Sequence, residues 1–408
     1  MSWRVGGVRF VAQDRDVRST GGQQRIGDLD RSLLLQCRTS QVTQAAEVAD
    51  RPGSGLVVTV DRGNQRGCLA RARHLLEVDH YRQPVLLDAA RYVGPDRLTA
   101  SASFDDRWIG AQRDLGLPVL TDSGYLAPAD TAGCLGILER AARLGDAIAL
   151  LPMHPAWLAD PTARQHLVRY VEVVGVPVAI VVERAVAPVD PVEVVRGLLE
   201  LLRCAVPVLL LRADLAALGA LGSGAVAAAV GLDPTLRGLD PGPRGSDPRG
   251  AEWRRQSAGT PSVLIRQCLS YQSTVEVEAA IRRYPDNGMW HCGCPTCGGR
   301  DLTWLVRRPD AGRAGLVLGH SVDVLLGLRA EMTGPCVQLN QWSWRARCAT
   351  ATSRLREVGW ERLPMLTHWQ GAITLPAISR LSIPVPRRST SPTTSGRFSR
   401  ADPPRAGR

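Results

Sequence analysis

The 408-residue chain contains no lysine: all 50 of its basic residues are arginine. Without lysine there is no Schiff-base nucleophile and no Walker A phosphate loop, whose signature needs its Lys. Aromatic residues are also scarce. With three Phe and six Tyr, a sheet that stacks RNA bases on aromatic side chains is not expected. No apolar run reaches the roughly 18 residues that span a bilayer; Leu209, Leu210 and Leu211 are soon followed by Arg212 and Asp214. Residues 1–31 carry charges throughout and lack the apolar centre of a signal peptide. The expectation is a soluble, cytoplasmic protein that does not enter a membrane.

What is present supports a sizeable core. Hydrophobic residues make up 44% of the chain, and 39 acidic residues leave a net charge of +11. The basic excess is uneven. Residues 387–408, rich in Ser, Thr, Pro and Arg, hold six arginines against one aspartate and are expected to form a disordered basic tail. The first 54 residues are polar and weakly patterned, and read as an arm or cap.

From residue 55 the pattern changes. Leu56 to Val60 read as a buried strand. A short motif then recurs, with Pro84, Pro118, Pro177 and Pro207 each followed by an apolar run that leads to an acid: Asp88, Asp122, Glu183 and Asp214. The spacing of about 30 residues, or twice that where residues 147–151 supply another strand, is the length of one strand, loop and helix. Helical stretches at 135–144, 162–174 and 192–203 fill the gaps, and 225–231 and 262–269 read as two further strands. Runs without alternation suit parallel strands buried on both faces. Seven or eight such units predict a (β/α)8 barrel over 55–285. No GxGxxG follows the first strand, which counts against a dinucleotide-binding fold.

The strongest local signal is His291-Cys292-Gly293-Cys294-Pro295-Thr296-Cys297-Gly298-Gly299. Three thiolates this close can face one centre, and the glycines let the backbone fold round it. A tetrahedral zinc needs a fourth ligand. His320, at the start of an apolar helical stretch, fits; His291 would strain the turn, and Cys336 and Cys348 stay open. Three thiolates suit a structural Zn2+ in a subdomain over 286–335. The segment 336–386 follows, with Trp342, Trp344, Trp360 and Trp369 among Arg345, Arg347, Arg354 and Arg356. It reads as a packing surface against the zinc region, or as a surface for nucleic acid.

The second signal is Thr121-Asp122-Ser123-Gly124 after the strand opened by Pro118. Asp122 falls at the carboxyl end of a barrel strand, where barrel enzymes keep their catalytic groups. An Asp-Ser-Gly turn there also serves simply as a helix N-cap.

Together the two signals resemble the tRNA-guanine transglycosylases over roughly residues 56–335. The resemblance implies a (β/α)8 barrel with a late zinc subdomain that exchanges guanine for a 7-deazaguanine base in tRNA or DNA. It implies that Asp122 engages the base and moves a proton, that Ser123, Gly124 and Tyr125 line the base site, and that Cys292, Cys294, Cys297 and His320 hold the zinc. Base exchange needs a carboxylate nucleophile for ribose C1′ and an acid to protonate the leaving base.

The chain departs from the family in three places. Tyr125 stands where the family has a second Gly, and the carboxylate expected after 146–150 falls near Pro152. Residues 263–275, where the family's nucleophile would lie, hold no Asp or Glu. Asp233, after the strand at 225–231, is the nearest carboxylate at a strand end and the nucleophile candidate. Two rival readings remain: a barrel without catalysis that serves as a nucleic-acid-binding or partner-binding subunit, and an unrelated zinc-stapled enzyme using Glu183 and Asp214. His154, between Pro152 and Pro155, reads as a loop residue. The oligomeric state is left open by the sequence.

Overall fold

Each proline of the repeat sits one residue ahead of a strand, where its missing N–H costs no ladder bond. The strands are β5 (Val85–Asp88), β6 (Val119–Leu120), β8 (Val178–Val182) and β9 (Val208–Ala213). The proline carbonyls still work: those of Pro84, Pro177 and Pro207 accept from Leu56, Ala149 and Val178 at 2.8–3.0 Å. Helix starts are equally local. Asp130, Asp160 and Asp190 cap the helices Thr131–Leu144, Pro161–Val174 and Pro191–Leu201, as short acceptors do at an N-cap. Gly145 and Gly175 end the first two in the left-handed conformation, with φ of 81° and 72°.

This computed structural model describes residues 2–5, 8–11, 26–61, 63–184, 189–240 and 261–374. Strands β1 (Ser2–Val5) and β2 (Val8–Val11) form a separate antiparallel hairpin. With β3 (Ser32–Arg38), β4 (Ser54–Thr59), β7 (Ala147–Met153) and β10 (Ala227–Gly231), the repeat strands form one parallel eight-stranded sheet in the order β5-β4-β3-β10-β9-β8-β7-β6. That is sequence order wrapped round a circle. Helices lie between the strands, and β5 and β6 meet at the seam. The chain is a (β/α)8 barrel.

Two expectations are corrected. The barrel starts at Ser32, not at residue 55, because Leu33, Leu34 and Leu35 make β3, which pairs with both β4 and β10. The expected strand at 262–269 is not in the barrel: β11 (Ser262–Ile265) pairs antiparallel with β12 (Ser270–Ser273) in a separate hairpin. A short apolar run cannot report which sheet it joins. The region around the cysteines therefore begins at this hairpin rather than at 286. The expected tail at 387–408 lies outside the described residues.

The barrel interior is filled by alternate strand residues, including Leu34, Val57, Leu86, Leu120, Leu150 and Leu209, with Leu29 packed among them. After the hairpin come the helix Thr274–Arg283, the cysteine loop and the long helix Asp310–Met332. This helix packs on β11, on the helix Val42–Ala49 after β3 and on the helix Ala216–Gly222 after β9. It thereby takes the place of the eighth barrel helix. Arg31 just ahead of β3 donates to the Thr333 and Gly334 carbonyls at 2.8 Å, and Arg329 returns a bond to the Arg31 carbonyl at 2.8 Å.

The Trp-rich segment folds as the helices Val337–Glu357 and Pro364–Ala372. Trp344 and Trp369 are buried edge to face, 6.1 Å apart, against Gly219, where a Cβ would meet Trp344 Nε1 at 2.4 Å. Trp360 meets Trp290 edge to face at 5.9 Å. These indoles pack on the barrel helix Ala216–Gly222 as well as beside the cysteine region, and Trp344 and Trp369 are not available to stack a base. No described helix is long and apolar enough to cross a membrane.

Candidate functional site

Because the strands are parallel, Asp88, Asp122, Glu183 and Asp214 all stand at the carboxyl ends of their strands. Beneath the mouth lies a polar layer made by the last inward positions of the first three barrel strands. Gln36 Nε2 donates to Thr59 Oγ1 at 2.9 Å and to Asp88 Oδ2 at 3.1 Å, and the Tyr92 hydroxyl donates to the same Oδ2 at 2.8 Å. Burial, and then the Asp88 charge, push the Tyr92 phenol well above its usual value, so it remains a donor.

Asp122 is buried beyond β6. Arg91 pairs with its Oδ2, and the Asp105 N–H donates to its two oxygens at 3.0 and 3.2 Å. Ser123 turns inward to share a 2.8 Å hydrogen bond with Thr121 Oγ1. Gly124 lies under the backbone of residues 98–99, where a Cβ would sit 2.1 Å from the Thr99 carbonyl oxygen; only glycine permits that approach. Tyr125 donates to Glu183 Oε2 at 2.6 Å beneath the Arg97 guanidinium, 3.5 Å from its ring. Arg97 also holds Glu183 Oε1 at 3.0 Å. Asp233 caps the turn Pro234–Leu236, accepting from the Thr235 N–H and hydroxyl at 2.8 Å, and lies 3.8 Å from Arg38. Asp214, two residues ahead of the helix Ala216–Gly222, accepts the Ala216 N–H at 2.8 Å, and burial pushes its carboxyl up. The His154 Nδ1 accepts the Ala156 N–H at 3.1 Å, and burial lowers its pKa.

A cavity of about 810 Å³ opens at this mouth. Its wall includes Arg38, Arg91, Arg97 and Arg212, with Thr59 and Thr235, against Asp96 and Asp240. Of the residues expected at the site, neither Asp122 nor Asp233 nor the 123–125 turn forms this wall; Arg91, the partner of Asp122, does. The sequence reading missed Gln36, Arg91, Arg97 and Arg212. For two of them a signal was present: Gln36 and Arg212 each interrupt an otherwise apolar strand, and a polar residue there needs a partner.

Arg212 is 5% exposed, yet its Nε and Nη1 have no hydrogen-bond partner among the described residues. Its Nη2 reaches only the Thr235 carbonyl, at 3.5 Å, and its guanidinium lies 5.5 Å from the Tyr92 ring centre.

The cysteine loop is the second site. Cys292, Cys294, Cys297 and His320 are all buried, and their donor atoms lie within 4.8 Å of one another. This group can hold a metal ion. Gly298 and Gly299, with φ of 60° and 81°, return the chain so that the Gly299 N–H reaches the Cys292 carbonyl at 3.1 Å. His320 Nδ1 lies 3.7, 3.4 and 3.1 Å from the sulfurs of Cys292, Cys294 and Cys297. Its Nε2 lies 2.9 Å from the Leu264 carbonyl on β11. That bond places the proton on Nε2 and leaves Nδ1 free to ligate, the usual arrangement for a metal-binding imidazole. Hydrogen bonds from Cys294 and Cys297 favour the Cys292 thiolate. Neither His291, which is exposed, nor Cys336 nor Cys348 joins the group.

No family model matches this chain, and no curated protein matches it either. Among solved structures, the chain is similar to an N-acetylneuraminic acid (sialic acid) synthetase from Leptospira borgpetersenii serovar Hardjo-bovis in complex with citrate. That likeness has 13% identity and a TM-score of 0.31, and covers 69% of this chain and 96% of that one; it is too low to bear on function.

Proposed function

We propose that the barrel acts on a guanine or 7-deazaguanine base of tRNA or DNA, in the manner of a divergent guanine transglycosylase, with Asp122 as its acid/base group. The observation that carries this reading is the pairing of Asp122, beyond the fourth barrel strand, with Arg91 in the wall of the mouth cavity. Arg91 links the carboxylate to the mouth, and a carboxylate can accept a base N–H and receive a proton. The cysteine module between the eighth strand and the eighth helix adds support, since the resemblance in the motifs implies a late insertion of this kind.

The metal is zinc and its role is structural. Tetrahedral zinc, bonded at about 2.3 Å to sulfur and 2.0–2.1 Å to nitrogen, sets sulfur–nitrogen edges of about 3.5 Å, and the separations of 3.1–3.7 Å fit. Four protein ligands leave no open position for chemistry. None of the ten cysteines is paired in a disulfide, which suits the reducing cytoplasm.

One observation favours a second reading, a binding subunit without catalysis: each candidate carboxylate already has partners. Asp122 has Arg91, Glu183 has Arg97 and Tyr125, and Asp233 caps its turn and faces Arg38. Incubation with labelled guanine and either tRNA or duplex DNA separates the two. Incorporated label supports exchange; nucleic acid that is retained on a gel but never labelled supports the binding subunit.

A further inference from the structure

We propose that the barrel mouth contains a phosphate-binding site centred on Arg212, with Arg38 and Thr235 beside it. The argument starts from strand alternation. On β9, Leu209 and Leu211 face the barrel interior, while Val208 and Leu210 face the helices. Unbroken alternation would send Arg212 outward too. It does not go there. The β9–β10 register slips between the pairs Ala228–Leu210 and Val230–Ala213, so β9 carries one extra residue opposite Ala229. At this bulge Arg212 takes φ of 50°, in the left-handed region, and its N–H leaves the ladder to donate to Gln36 Oε1 at 2.7 Å. Bulges re-aim side chains, and a left-handed arginine is strained unless its surroundings hold it. Here the result is a guanidinium brought to the cavity wall.

The guanidinium arrives there with two nitrogens unpartnered among the described residues and its side chain 5% exposed. A buried cation with free donors is costly unless an anion completes it. Its polar neighbours in the wall are Arg38 and Thr235, with Arg38 also ion-paired to Asp61 at 3.3 Å. Arg38, at the end of β3, donates to Thr235 Oγ1 at 2.6 Å and lines the same wall. Thr235 lies in the short turn after β10. The site thus uses the ends of the first and seventh barrel strands and the loop after the eighth, the sector in which barrels of this class commonly bind phosphate. Guanidinium forks match phosphate oxygens in pairs. The inference stands on Arg212 and does not depend on base exchange.

The phosphate could belong to a free nucleotide or to a nucleic-acid chain, and the test separates these sources. Full-length protein is titrated calorimetrically with inorganic phosphate, guanosine, guanosine 5′-monophosphate and a short single-stranded oligonucleotide. The monophosphate should bind at least about 10-fold more tightly than guanosine, and Arg212→Met should weaken phosphate and monophosphate about 10- to 100-fold. In phosphate-free buffer Arg212→Met should melt no lower than wild type, because it removes an uncompensated charge. Monophosphate binding with no gain from the oligonucleotide assigns the site to free nucleotides; the reverse order assigns it to nucleic acid. If Arg212→Met does not fold, Arg38→Met carries the test and should weaken phosphate at least about 5-fold. Wild type that ignores phosphate in all three forms, or an Arg212→Met protein that binds them unchanged, overturns the proposal. Failure of guanine incorporation leaves each of these readouts intact.

Discussion

His320 and Asp323, three residues apart on one helix, hold the cysteine loop at two points. His320 Nδ1 faces the three sulfurs, and Asp323 Oδ2 accepts the Thr296 N–H at 2.6 Å. Asp323 also pairs with Arg51, in the turn between the first barrel helix and β4. The loop is therefore fastened to the barrel through an acid one turn from His320.

Breaking that fastening should cost stability without removing a ligand. Arg51→Met leaves the buried Asp323 carboxylate with the Thr296 N–H alone. Because Arg51 is partly exposed, the expected loss is about 1–3 kcal/mol, below the range for a fully buried pair. Adding Asp323→Asn should recover part of it. Urea unfolding of the two single variants and the double variant gives the coupling directly.

Metal content is the next test. Purified protein should carry close to one zinc per chain, and Cys294→Ala should carry almost none. With free zinc about a thousandfold above its dissociation constant, chelation should lower stability by about 4 kcal/mol. A protein lacking both Cys292 and Cys294 that still holds stoichiometric zinc would contradict the ligand set.

Asp122→Asn should reduce guanine exchange about 100-fold or more, since an amide can neither accept nor relay the proton. The variant should also lose about 1–3 kcal/mol, because Arg91 keeps its charge and loses its partner. Single-turnover exchange rates on protein checked for folding by circular dichroism separate the two effects. Exchange at the wild-type rate would remove Asp122 from the chemistry.

A further substitution tests the indole packing. Gly219→Ala drives a methyl toward Trp344 Nε1 and the Trp369 ring, both within 3 Å of the new carbon. Overpacking of this kind costs about 1–3 kcal/mol. A thermal melt at or above wild type would mean that the two Trp-bearing helices shift freely.

Asp214 gives a pH test. Its folded pKa is raised above the ordinary value of 3.8 by burial, so the folded state holds the proton more tightly than the unfolded chain. Wild type is thus penalised by this group above the folded pKa, and the penalty fades as pH falls towards 3.8. Asp214→Asn keeps an acceptor for the Ala216 N–H and has no charge to bury. It should be the more stable protein at pH 7, with the advantage shrinking on acidification. Denaturation midpoints at several pH values decide this; an advantage that grows towards acid would reverse the assignment.

The sequence carried the barrel through its strand starts. Pro84, Pro118, Pro177 and Pro207 mark β5, β6, β8 and β9 because a residue without N–H fits where no ladder bond is needed. It hid β3, where Gln36 breaks the apolar run for the sake of partners more than twenty residues away. It misplaced β11, whose apolar pattern matches a barrel strand while its partner is a local hairpin. The cysteines of the candidate metal group were legible because three lie within six residues; the structure places His320 midway along the helix Asp310–Met332 rather than at a helix start. The mouth was less so: Arg212 reaches it through a bulge, and no periodicity reports a bulge.

The closure of the ring has a consequence for synthesis. Arg31, at the entry to the first barrel strand, finds its carbonyl acceptors 302 and 303 residues later, at Thr333 and Gly334. At about 5–20 residues per second on the ribosome, that interval lasts about 15–60 s. Until β10 is made, about two thirds of the way through it, β3 offers one unpaired edge, and an open strand edge invites pairing with other chains. The nascent sheet thus cannot close before β10 emerges, and the contact of Arg31 with Thr333 and Gly334 comes later still.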